Sequence, residues 1–385
     1  MTVWKFLFFL RKFIQFKSHW KLVVRSFKKR TVLYFNLHKT TGLPGPSIVN
    51  FTLTNLCNHN CRTCTYRVSN RINNNVKFIP LDLVKRTIDN LAPFGTSLLF
   101  AGGGEPTLYP WLGHVIDYAT QRKLYTEITT NGYVLKKRAK EIMAAGIGGI
   151  VISIDGKREI HNYVRNTDRA FEKAIEGILE LNKYRSRPLI AISTTVSPAN
   201  WYALPELFEI VERLVKSRMV DYMMIRHMQY FLSNKNVEEH NQKFGNSLFF
   251  AKKNSYEDLK FTTIDFTRLC QYIRWSDKKF NWLIWVGKKL SLQELNKYYT
   301  QPEVFIVEKK VYCPWVFANI TEDGDVVLCN EVTNNNNFCF GNLHEKSFME
   351  IWNNSPKLIN FRKVLQKYDR LPICTRCCAY IGTKI

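Results

Sequence analysis

Cys57-Asn58-His59-Asn60-Cys61-Arg62-Thr63-Cys64 is the stretch around which the rest of the chain is organised. It carries three cysteines at spacings of four and three. Thiolates bind soft metal ions and iron–sulfur clusters. A closed zinc site needs four ligands, and the loop would have to fold tightly on itself to add His59 as the fourth. The pattern therefore favours a [4Fe–4S] cluster held by three cysteines, with one iron left open to another molecule, and zinc is the alternative.

The 385-residue chain has 45% hydrophobic and 23% charged residues, which is the composition of an ordinary globular protein, and its length suits two domains. Its ten cysteines are not spread as a disulfide framework would be. Two groups, at 57–64 and at 374–378, lie far apart in the sequence. This grouping indicates metal sites in a reducing compartment, and we expect a cytoplasmic protein. Neither a spanning helix nor a signal peptide is expected.

The net charge is +24, and it is unevenly placed. No Asp or Glu precedes Asp82, whereas residues 1–81 carry 14 Lys and Arg. Such asymmetry indicates an anionic partner, which would be a membrane surface, a phosphorylated substrate or nucleic acid.

Residues 3–31 have the pattern of a basic amphipathic helix. Apolar side chains, most of them aromatic, recur at spacings of three and four, and Lys and Arg fall on the opposite side. This pattern suits the interface of an anionic bilayer. It also suits a helix that packs its aromatic face on a catalytic domain, and the sequence leaves both alternatives open. Gly42, Pro44 and Gly45 then mark a boundary.

From Ser47 the chain alternates between strand-like and helix-like runs. The predicted strands are 48–53, 97–100, 125–130, 149–154, 189–196 and 220–225, and the predicted helices are 111–122, 135–145, 171–184 and 204–216. This alternation predicts an α/β fold with a parallel sheet. Six such strands fit a partial (β/α)6 TIM-like barrel, in which functional residues follow the carboxyl ends of the strands.

The end of the second predicted strand carries a second motif, Gly103-Gly104-Glu105-Pro106. Together with Cys57-x3-Cys61-x2-Cys64, this motif resembles the radical S-adenosylmethionine (SAM) superfamily, over residues 47 to about 230. The resemblance implies that SAM chelates the open iron of the cluster. An electron from a reductant such as flavodoxin or ferredoxin would then cleave SAM to a 5′-deoxyadenosyl radical, which abstracts a substrate hydrogen.

The same resemblance implies a set of SAM-binding residues. They are Gly103, Gly104, Glu105, Pro106, Asn131, Ser153, Asp155 and Arg165. The fork of Arg165 suits the SAM carboxylate, and the alternative is a surface ion pair, with Asp155 capping a turn. For Glu105, the alternative to SAM binding is a structural role in its loop. For Asn131, the alternative is a role as a turn residue. No catalytic residue is identified.

The adenine contact is one departure from the family pattern. Many members have an aromatic residue just before the third cysteine, and this chain has Thr63 there. Tyr66 follows two residues after Cys64. The residue that contacts the adenine is therefore left unassigned.

The C-terminal cysteines form a further pattern. Cys313-x10-Gly324-x4-Cys329 surrounds a predicted hairpin turn, and Cys374-x2-Cys377 follows after a predicted helix around 350–352. This pattern resembles the SPASM/Twitch auxiliary-cluster domain and implies one further [4Fe–4S] cluster on these four cysteines. Either Cys339 or Cys378 could replace one of them. A four-cysteine zinc site is the alternative.

Four segments are therefore expected. They are a basic N-terminal segment (1–46), a radical SAM partial barrel (47–231), a helical connecting region (232–310) and a small α+β auxiliary-cluster domain (311–385). Cys270, in the connecting region, is predicted to be a buried helical cysteine.

The substrate is the least determined part of the prediction. The basic amphipathic segment favours a small, sugar or lipid-linked substrate handled near a membrane surface. The alternative is modification of a ribosomally made peptide by crosslinking, epimerisation or oxidation. By family resemblance the leader-binding domain of such maturases is longer than residues 1–46. A non-enzymatic, zinc-containing nucleic-acid-binding protein is disfavoured, because it leaves the Gly-Gly-Glu-Pro loop unexplained.

Overall fold

The protein was studied as a computed structural model. It describes residues 35–68, 75–229, 232–248, 261–285, 289–306, 310–328 and 339–376. Several sequence-based predictions fall outside this part of the chain. They concern the amphipathic helix 3–31 and the cysteines Cys329, Cys377 and Cys378.

The described strands form one ten-stranded sheet. They are β1 (Ile48–Phe51), β2 (Ser97–Phe100), β3 (Thr126–Thr130), β4 (Gly149–Ser153), β5 (Leu189–Val196), β6 (Tyr222–His227), β7 (Leu283–Trp285), β8 (Phe317–Ile320), β9 (Asp325–Val327) and β10 (Gly341–Asn342). The order across the sheet is β10-β9-β8-β1-β2-β3-β4-β5-β6-β7. Pairing is parallel from β8 through β1 to β7, and antiparallel at β9 and β10. β7 and β8 do not pair with each other, so the described sheet is not closed.

Helices connect the parallel strands. They are α1 (Thr65–Val68), α2 (Leu81–Leu91), α3 (Leu112–Gln121), α4 (Leu135–Ala144), α5 (Arg158–Arg165), α6 (Ala170–Leu181), α7 (Leu204–Lys216), α8 (Asn234–Phe244), α9 (Phe266–Lys279), α10 (Leu292–Thr300), α11 (Cys313–Val316), α12 (Phe348–Asn354) and α13 (Pro356–Tyr368). Successive helices contact one another, α2 with α3, α3 with α4 and α4 with α6. They therefore cover one face of the sheet, as in a barrel. Among the described helices, none combines the length and apolarity that crossing a bilayer requires.

The two faces of the sheet differ because successive side chains of a strand point to opposite sides. The outer face, toward the helices, is fully buried and apolar; it includes Val49, Phe51, Leu98, Phe100, Ile128, Ile150, Ile152, Ile190, Ile192, Met223 and Ile225. The opposite, inner face carries polar and half-buried residues such as Glu127, Ser153, Ser193, Thr195 and Arg226. The core therefore lies between sheet and helices, and the inner face is left to hold ligands.

The alternation predicted from the sequence is confirmed, with six parallel strands and the helices between them close to the expected positions. Cys270 is confirmed as a buried residue of α9. The hairpin turn before Asp325 is confirmed, with Gly324 at φ +81°. Strand β7 was not predicted, because three residues are too few to show a period. The domain limits at 46, 231 and 310 remain predictions.

Residues 37–44, which we call the strap, cross the helices of the C-terminal region. Asn353 pairs with both backbone groups of Leu43, at 2.7 and 3.0 Å. Trp352 Nε1 donates to Pro44 O at 3.0 Å, and Trp315 Nε1 donates to Lys39 O at 2.7 Å. Side-chain donors and one side-chain acceptor thus satisfy the backbone of a segment that belongs to no regular element. The strap is part of the folded unit.

Candidate active site

The three cysteines of the 57–64 loop lie beyond the carboxyl end of β1. Their side chains are partly buried thiols, and none of the three forms a disulfide. Burial, with smaller contributions from the neighbouring Glu105, Cys61 and Cys64, raises the pKa of Cys57 to about 12. Thiols this close oppose one another's ionisation, so forming three thiolates requires added positive charge, which bound iron ions supply. The donor set therefore fits an iron–sulfur cluster.

A site for a single metal ion differs from a cluster site, because all its ligands must converge on one point. In the part of the chain that the structure describes, no group of three or more His, Cys, Asp or Glu side chains is arranged to hold one metal ion. In a [4Fe–4S] cluster each thiolate binds an iron of its own. His59, considered as a fourth zinc ligand, is buried with its ring edge-on to Tyr133, at 5.4 Å between centroids.

The loop after β2, residues 102–106, is called the glycine loop. It packs directly on the chain that enters the cysteine loop, residues 57–64. The N–H groups of Gly104 and Glu105 donate to Thr54 O and Leu56 O, at 2.8 and 2.7 Å. A Cβ on Gly104 would lie 2.1 Å from Leu56 O, and one on Gly103 would lie 2.1 Å from Thr52 Cγ2. Gly103 also has φ +68°, which favours glycine. Glycine is therefore required at positions 103 and 104, because a side chain there would clash with the chain that enters the cysteine loop.

Glu105 braces the glycine loop against the end of β3. Its Oε1 accepts from the backbone N–H and hydroxyl of Thr107 and from the hydroxyl of Thr130, and its Oε2 accepts from Asn131 N at 2.8 Å. Burial raises the pKa of this carboxyl, while these donors act to lower it. The neighbouring Pro106 is buried at the start of a 3₁₀ turn. Glu105 thus shapes the loop, which is the structural alternative that the sequence left open.

Asn131 joins the end of β3 to the cysteine loop. Its Nδ2 donates to Asn58 Oδ1 at 2.8 Å, and its Oδ1 accepts from Tyr133 N at 2.9 Å. Both ends of the amide are therefore engaged within the protein. The turn role considered for Asn131 is the one that these contacts support.

Arg165 and Asp155 meet beside Cys61. Arg165 Nε lies 2.7 Å from Asp155 Oδ2 in a largely buried ion pair, and Arg165 Nη1 donates to Cys61 Sγ at 3.8 Å. The alternative considered for Arg165 was a surface ion pair. Its ion pair with Asp155 is instead largely buried and lies next to the Cys61 thiol. Although burial opposes the charge of Arg165, the nearby Asp155 and Cys61 raise its pKa. A fixed positive charge next to the thiols favours their ionised form.

Ser153 ends β4 on the inner face. It is half-buried and lies in register with Ser193 of β5. Its hydroxyl makes no hydrogen bond to any described residue. It is thus open to a ligand, in keeping with the predicted SAM role.

Two histidines lie in the site. His59 was considered from the sequence as a fourth zinc ligand, whereas His161 was not singled out. His161 is fully buried, and its Nδ1 accepts from Asp155 N at 3.1 Å, which holds the Asp155 loop. Burial lowers the pKa of His161 well below its usual value and lowers that of His59 to about 3. Both rings are therefore neutral at physiological pH. No spacing or periodic signal in the sequence marked His161.

Helix α5 is also tied to the cysteine loop. Arg62 N donates to Val164 O at 2.9 Å, and Arg62 Nε donates to Tyr163 O at 3.2 Å. On the other side of the loop, the Tyr66 hydroxyl lies 3.3 Å from where a Cβ on Gly102 would stand. Tyr66 thus lies beside the glycine loop, and the residue that contacts the adenine stays unassigned.

Of the predicted auxiliary ligands, Cys313 and Cys374 are described. Cys313 begins α11, directly before β8, and Cys374 ends a 3₁₀ turn. Val311 N donates to Asp369 O at 2.8 Å, so the segments that lead to these two cysteines lie side by side. Burial raises the pKa of Cys374 to about 11, and this thiol too needs positive charge to ionise.

Cys339 has a different environment. Its Sγ donates to Gly341 O at 3.2 Å and to Asp325 Oδ1 at 3.4 Å. Burial, with Asp325 as the next cause, raises its pKa to about 11. These two local contacts favour a structural role for Cys339, and the alternative that it replaces an auxiliary ligand stays a prediction.

Two fully buried arginines hold the chain beside the auxiliary cysteines. Arg362 Nε donates to Pro314 O at 2.9 Å, next to Cys313. Arg376, two residues after Cys374, makes five hydrogen bonds to backbone carbonyls. Its acceptors are Lys297, Tyr298, Gln301, Val304 and Thr375, around the carboxyl end of α10. The helix end favours a positive charge there.

The two groups of cysteines lie toward opposite ends of the sheet. β1 and β8 are parallel, with Ile48 beside Phe317 and Phe51 beside Ile320. Cys57 follows the carboxyl end of β1, whereas Cys313 precedes the amino end of β8. The inner face of the sheet therefore extends between the two sites.

Comparison with known proteins gives the family of both regions. A model of the radical SAM superfamily matches residues 51–221, and a model of the SPASM iron–sulfur cluster-binding domain matches residues 312–378. The first match contains the cysteine loop and the glycine loop. The second contains all the C-terminal cysteines, and its description favours an iron–sulfur cluster over zinc there.

Individual relatives agree with this assignment. The AdoMet-dependent heme synthase of Methanosarcina barkeri (strain Fusaro / DSM 804) is 33% identical over 171 residues, which cover 44% of this chain and 48% of the relative. The chain thus spans about half the length of that curated relative. SAM-bound SuiB of Streptococcus suis matches with a TM-score of 0.60 at 16% identity, over 89% of this chain and 77% of SuiB. anSMEcpe with bound AdoMet matches with a TM-score of 0.57 at 16% identity, over 87% and 88%.

These two structural likenesses show the fold, which is the open α/β barrel followed by a small domain. The family models show the cofactors, which are SAM and [4Fe–4S] clusters. The geometry around Cys57, Cys61 and Cys64 fits them. The chain therefore belongs to the radical SAM superfamily and carries a SPASM iron–sulfur cluster-binding domain.

Proposed function

We propose that this protein cleaves SAM reductively and abstracts a hydrogen atom from a substrate on the inner face of the sheet. The observation that carries the proposal is the convergence of three thiols with the glycine loop and the Arg165–Asp155 pair. When bound, the cluster and SAM supply one-electron chemistry that protein side chains lack. An external reductant such as flavodoxin or ferredoxin would provide the electron.

The residues of the chain would divide the task of holding these groups. Cys57, Cys61 and Cys64 would bind the cluster. The glycine loop, shaped by Glu105, would let the SAM amino group approach backbone. Ser153 and Arg165 would bind the SAM carboxylate and ribose side, with Asp155 holding Arg165 in place.

Cys61→Ala tests the reaction class. After anaerobic reconstitution with iron and sulfide, wild-type protein with dithionite and SAM is expected to form 5′-deoxyadenosine. The variant is expected to form none above a control without protein and to bind about four fewer irons per chain, because a cluster with two ligands is not retained. Cys270→Ala, which removes a buried thiol of α9, should keep both properties. Equal product from wild type and Cys61→Ala would overturn the proposal.

For the substrate we propose a small, sugar or lipid-linked molecule handled near an anionic membrane surface. The support is the charge distribution, with 14 Lys and Arg and no acidic residue in residues 1–81. Because the strap packs on the C-terminal helices, a deletion of residues 1–46 would disturb the fold. Charge substitutions before the strap are the cleaner test.

Liposome flotation checks the membrane contact. Full-length protein is expected to float with anionic vesicles, to stay behind with zwitterionic ones and to be released by salt, because counter-ions screen the attraction. The test variant exchanges Arg11, Lys12, Lys21 and Arg25 for Gln. The control variant exchanges the same number of exposed charges elsewhere, at Lys137, Lys140, Arg213 and Arg274. Reduced flotation is expected for the test variant alone, and equal flotation of both variants would rule out this contact.

Modification of a ribosomally made peptide is the second candidate. Its support is the fold likeness to SuiB, which has also been solved bound to the precursor peptide SuiA. At 16% identity, this likeness is evidence for a shared fold and not for a shared substrate. A mass shift in a short peptide encoded beside this protein, dependent on Cys61, would favour this candidate over the small-molecule substrate.

A further inference from the structure

Arg226 stands near the carboxyl end of β6, on the inner face of the sheet. Its register partner is Thr195 of β5. Within the same strand the alternate residues Ile225 and His227 are buried against the helices. Arg226 is half-buried, and its Nε is enclosed with no hydrogen-bond partner. Among the described residues it makes no hydrogen bond and no ion pair.

The other arginines in the interior of this chain have partners. Arg165 pairs with Asp155, and Arg187 forms a two-pronged pair with Asp221 at 2.7 and 2.9 Å. The fully buried Arg362 and Arg376 donate to backbone carbonyls, as described above. A partly desolvated guanidinium without a partner costs free energy. Among these arginines, Arg226 is therefore the exception, with no hydrogen bond or ion pair to a described residue.

Glu127 is the acidic group that faces Arg226 from the same side of the sheet. The two interact through charge, but they are not within ion-pair distance of each other. The Tyr125 hydroxyl donates to Glu127 Oε2 at 3.1 Å. Burial raises the pKa of Glu127, which weakens it as a counter-ion. Among the described residues, Arg226 therefore has no counter-ion within ion-pair distance.

A glycine on β4 makes room for the Tyr125–Glu127 pair. A Cβ on Gly149 would lie 2.3 Å from the Tyr125 hydroxyl oxygen and 3.1 Å from Glu127 Oε2. A side chain at that position would displace both. The inner face over Gly149 is therefore filled by these two polar groups.

The backbone of Arg226 lies close to the level of Ser153 on the sheet. Ser153 is in register with Ser193, and Ser193 is in register with Met224. Arg226 lies two residues beyond Met224 in the direction of the strand ends. Arg226 is thus on the inner face of the sheet, toward the carboxyl ends of the strands, on a different strand from Ser153 and Asp155.

We propose that Arg226 binds an anionic oxygen group of the substrate, a carboxylate or a phosphate, and thereby fixes the substrate on the inner face. The planar fork of arginine matches both groups with two parallel hydrogen bonds. The proposal rests on the proposed function, since it names the substrate class of the same site. It separates two tasks: Arg165 holds SAM, and Arg226 holds the substrate.

The test uses full-length, reconstituted protein with SAM present, and inorganic phosphate and acetate as probes. Anaerobic equilibrium dialysis with labelled probes is expected to show binding of at least one of them to the wild type. Arg226→Gln should weaken that binding about tenfold or more, because it loses a charge-assisted contact. Phosphate preferred over acetate would indicate a phosphorylated substrate, and the reverse a carboxylate.

Two variants control the result. Arg213→Gln, an exposed helical arginine, should bind the probe like the wild type. Arg226→Lys, which keeps the charge, should retain part of the affinity. The proposal is overturned if the wild type binds neither probe, if Arg226→Gln binds like the wild type, or if Arg226→Gln weakens SAM binding as much as probe binding. 5′-Deoxyadenosine formation by the wild type is measured in parallel, and its absence would instead count against the proposed function.

Discussion

Replacing Gly104 with alanine is expected to abolish both SAM cleavage and iron binding at the 57–64 loop. The added methyl group would stand 2.1 Å from Leu56 O and 2.7 Å from the backbone N and C of the same residue. No rotamer change relieves a contact with backbone, so the chain entering the cysteine loop must move. The hydrogen bonds from Gly104 N to Thr54 O and from Glu105 N to Leu56 O would be lost with it.

Iron content and 5′-deoxyadenosine formation after anaerobic reconstitution measure this effect. We expect iron to fall by about four per chain, with the auxiliary cluster retained. Gly95→Ala is the matched control. Gly95 also has a positive φ, of +60°, but a Cβ there would meet no atom within 4 Å, so only local backbone strain of about 1 kcal/mol is expected. Full activity of Gly104→Ala would contradict the packing described here.

Arg376→Met is expected to remove the auxiliary cluster while the first cluster survives. Methionine fills part of the volume but leaves the backbone acceptors of the α10 end without their donor. Each buried carbonyl left unsatisfied costs about 1–3 kcal/mol. Because Arg376 lies between Cys374 and Cys377 in the sequence, its release frees the segment that carries both predicted ligands. Iron should fall from about eight to about four per chain, with SAM cleavage still detectable.

Two variants separate this effect from general destabilisation. Cys339→Ala should keep the full iron content, since Cys339 is held by Asp325 and Gly341 without iron. Arg187→Met removes the ion pair between Arg187 and Asp221 in the barrel. It should lower the midpoint of thermal unfolding without loss of iron. If Arg376→Met retains all of its iron, or if Arg187→Met loses as much, Arg376 does not hold the auxiliary site.

Local patterns made a large part of this protein predictable. The alternation of buried strands with amphipathic helices is visible in residues 48–225, because strand and helix periods differ. The spacing of Cys57, Cys61 and Cys64 and the glycines after β2 indicated the cluster and its neighbour. These features are local, since each depends on residues a few positions apart.

The basic segment before residue 35 shows the limit of local patterns. Its helical period and its charge predict both a membrane-bound helix and a packed one, because the same amphipathic face suits lipid and protein. Flotation of the charge variants is what distinguishes them.

The sequence by itself determined the fold class and indicated the three cysteines proposed to hold the first cluster and the glycine loop after β2. Only the tertiary structure decided how the remaining polar groups are paired. It engages Glu105 and Asn131 within the protein, joins Arg165 to Asp155 beside Cys61, and leaves Arg226 without a described partner. The physical reason is that a pairing between residues far apart in sequence leaves no periodic or spacing signal. Burial, which sets the cost of an unpaired charge, exists only once the chain is folded.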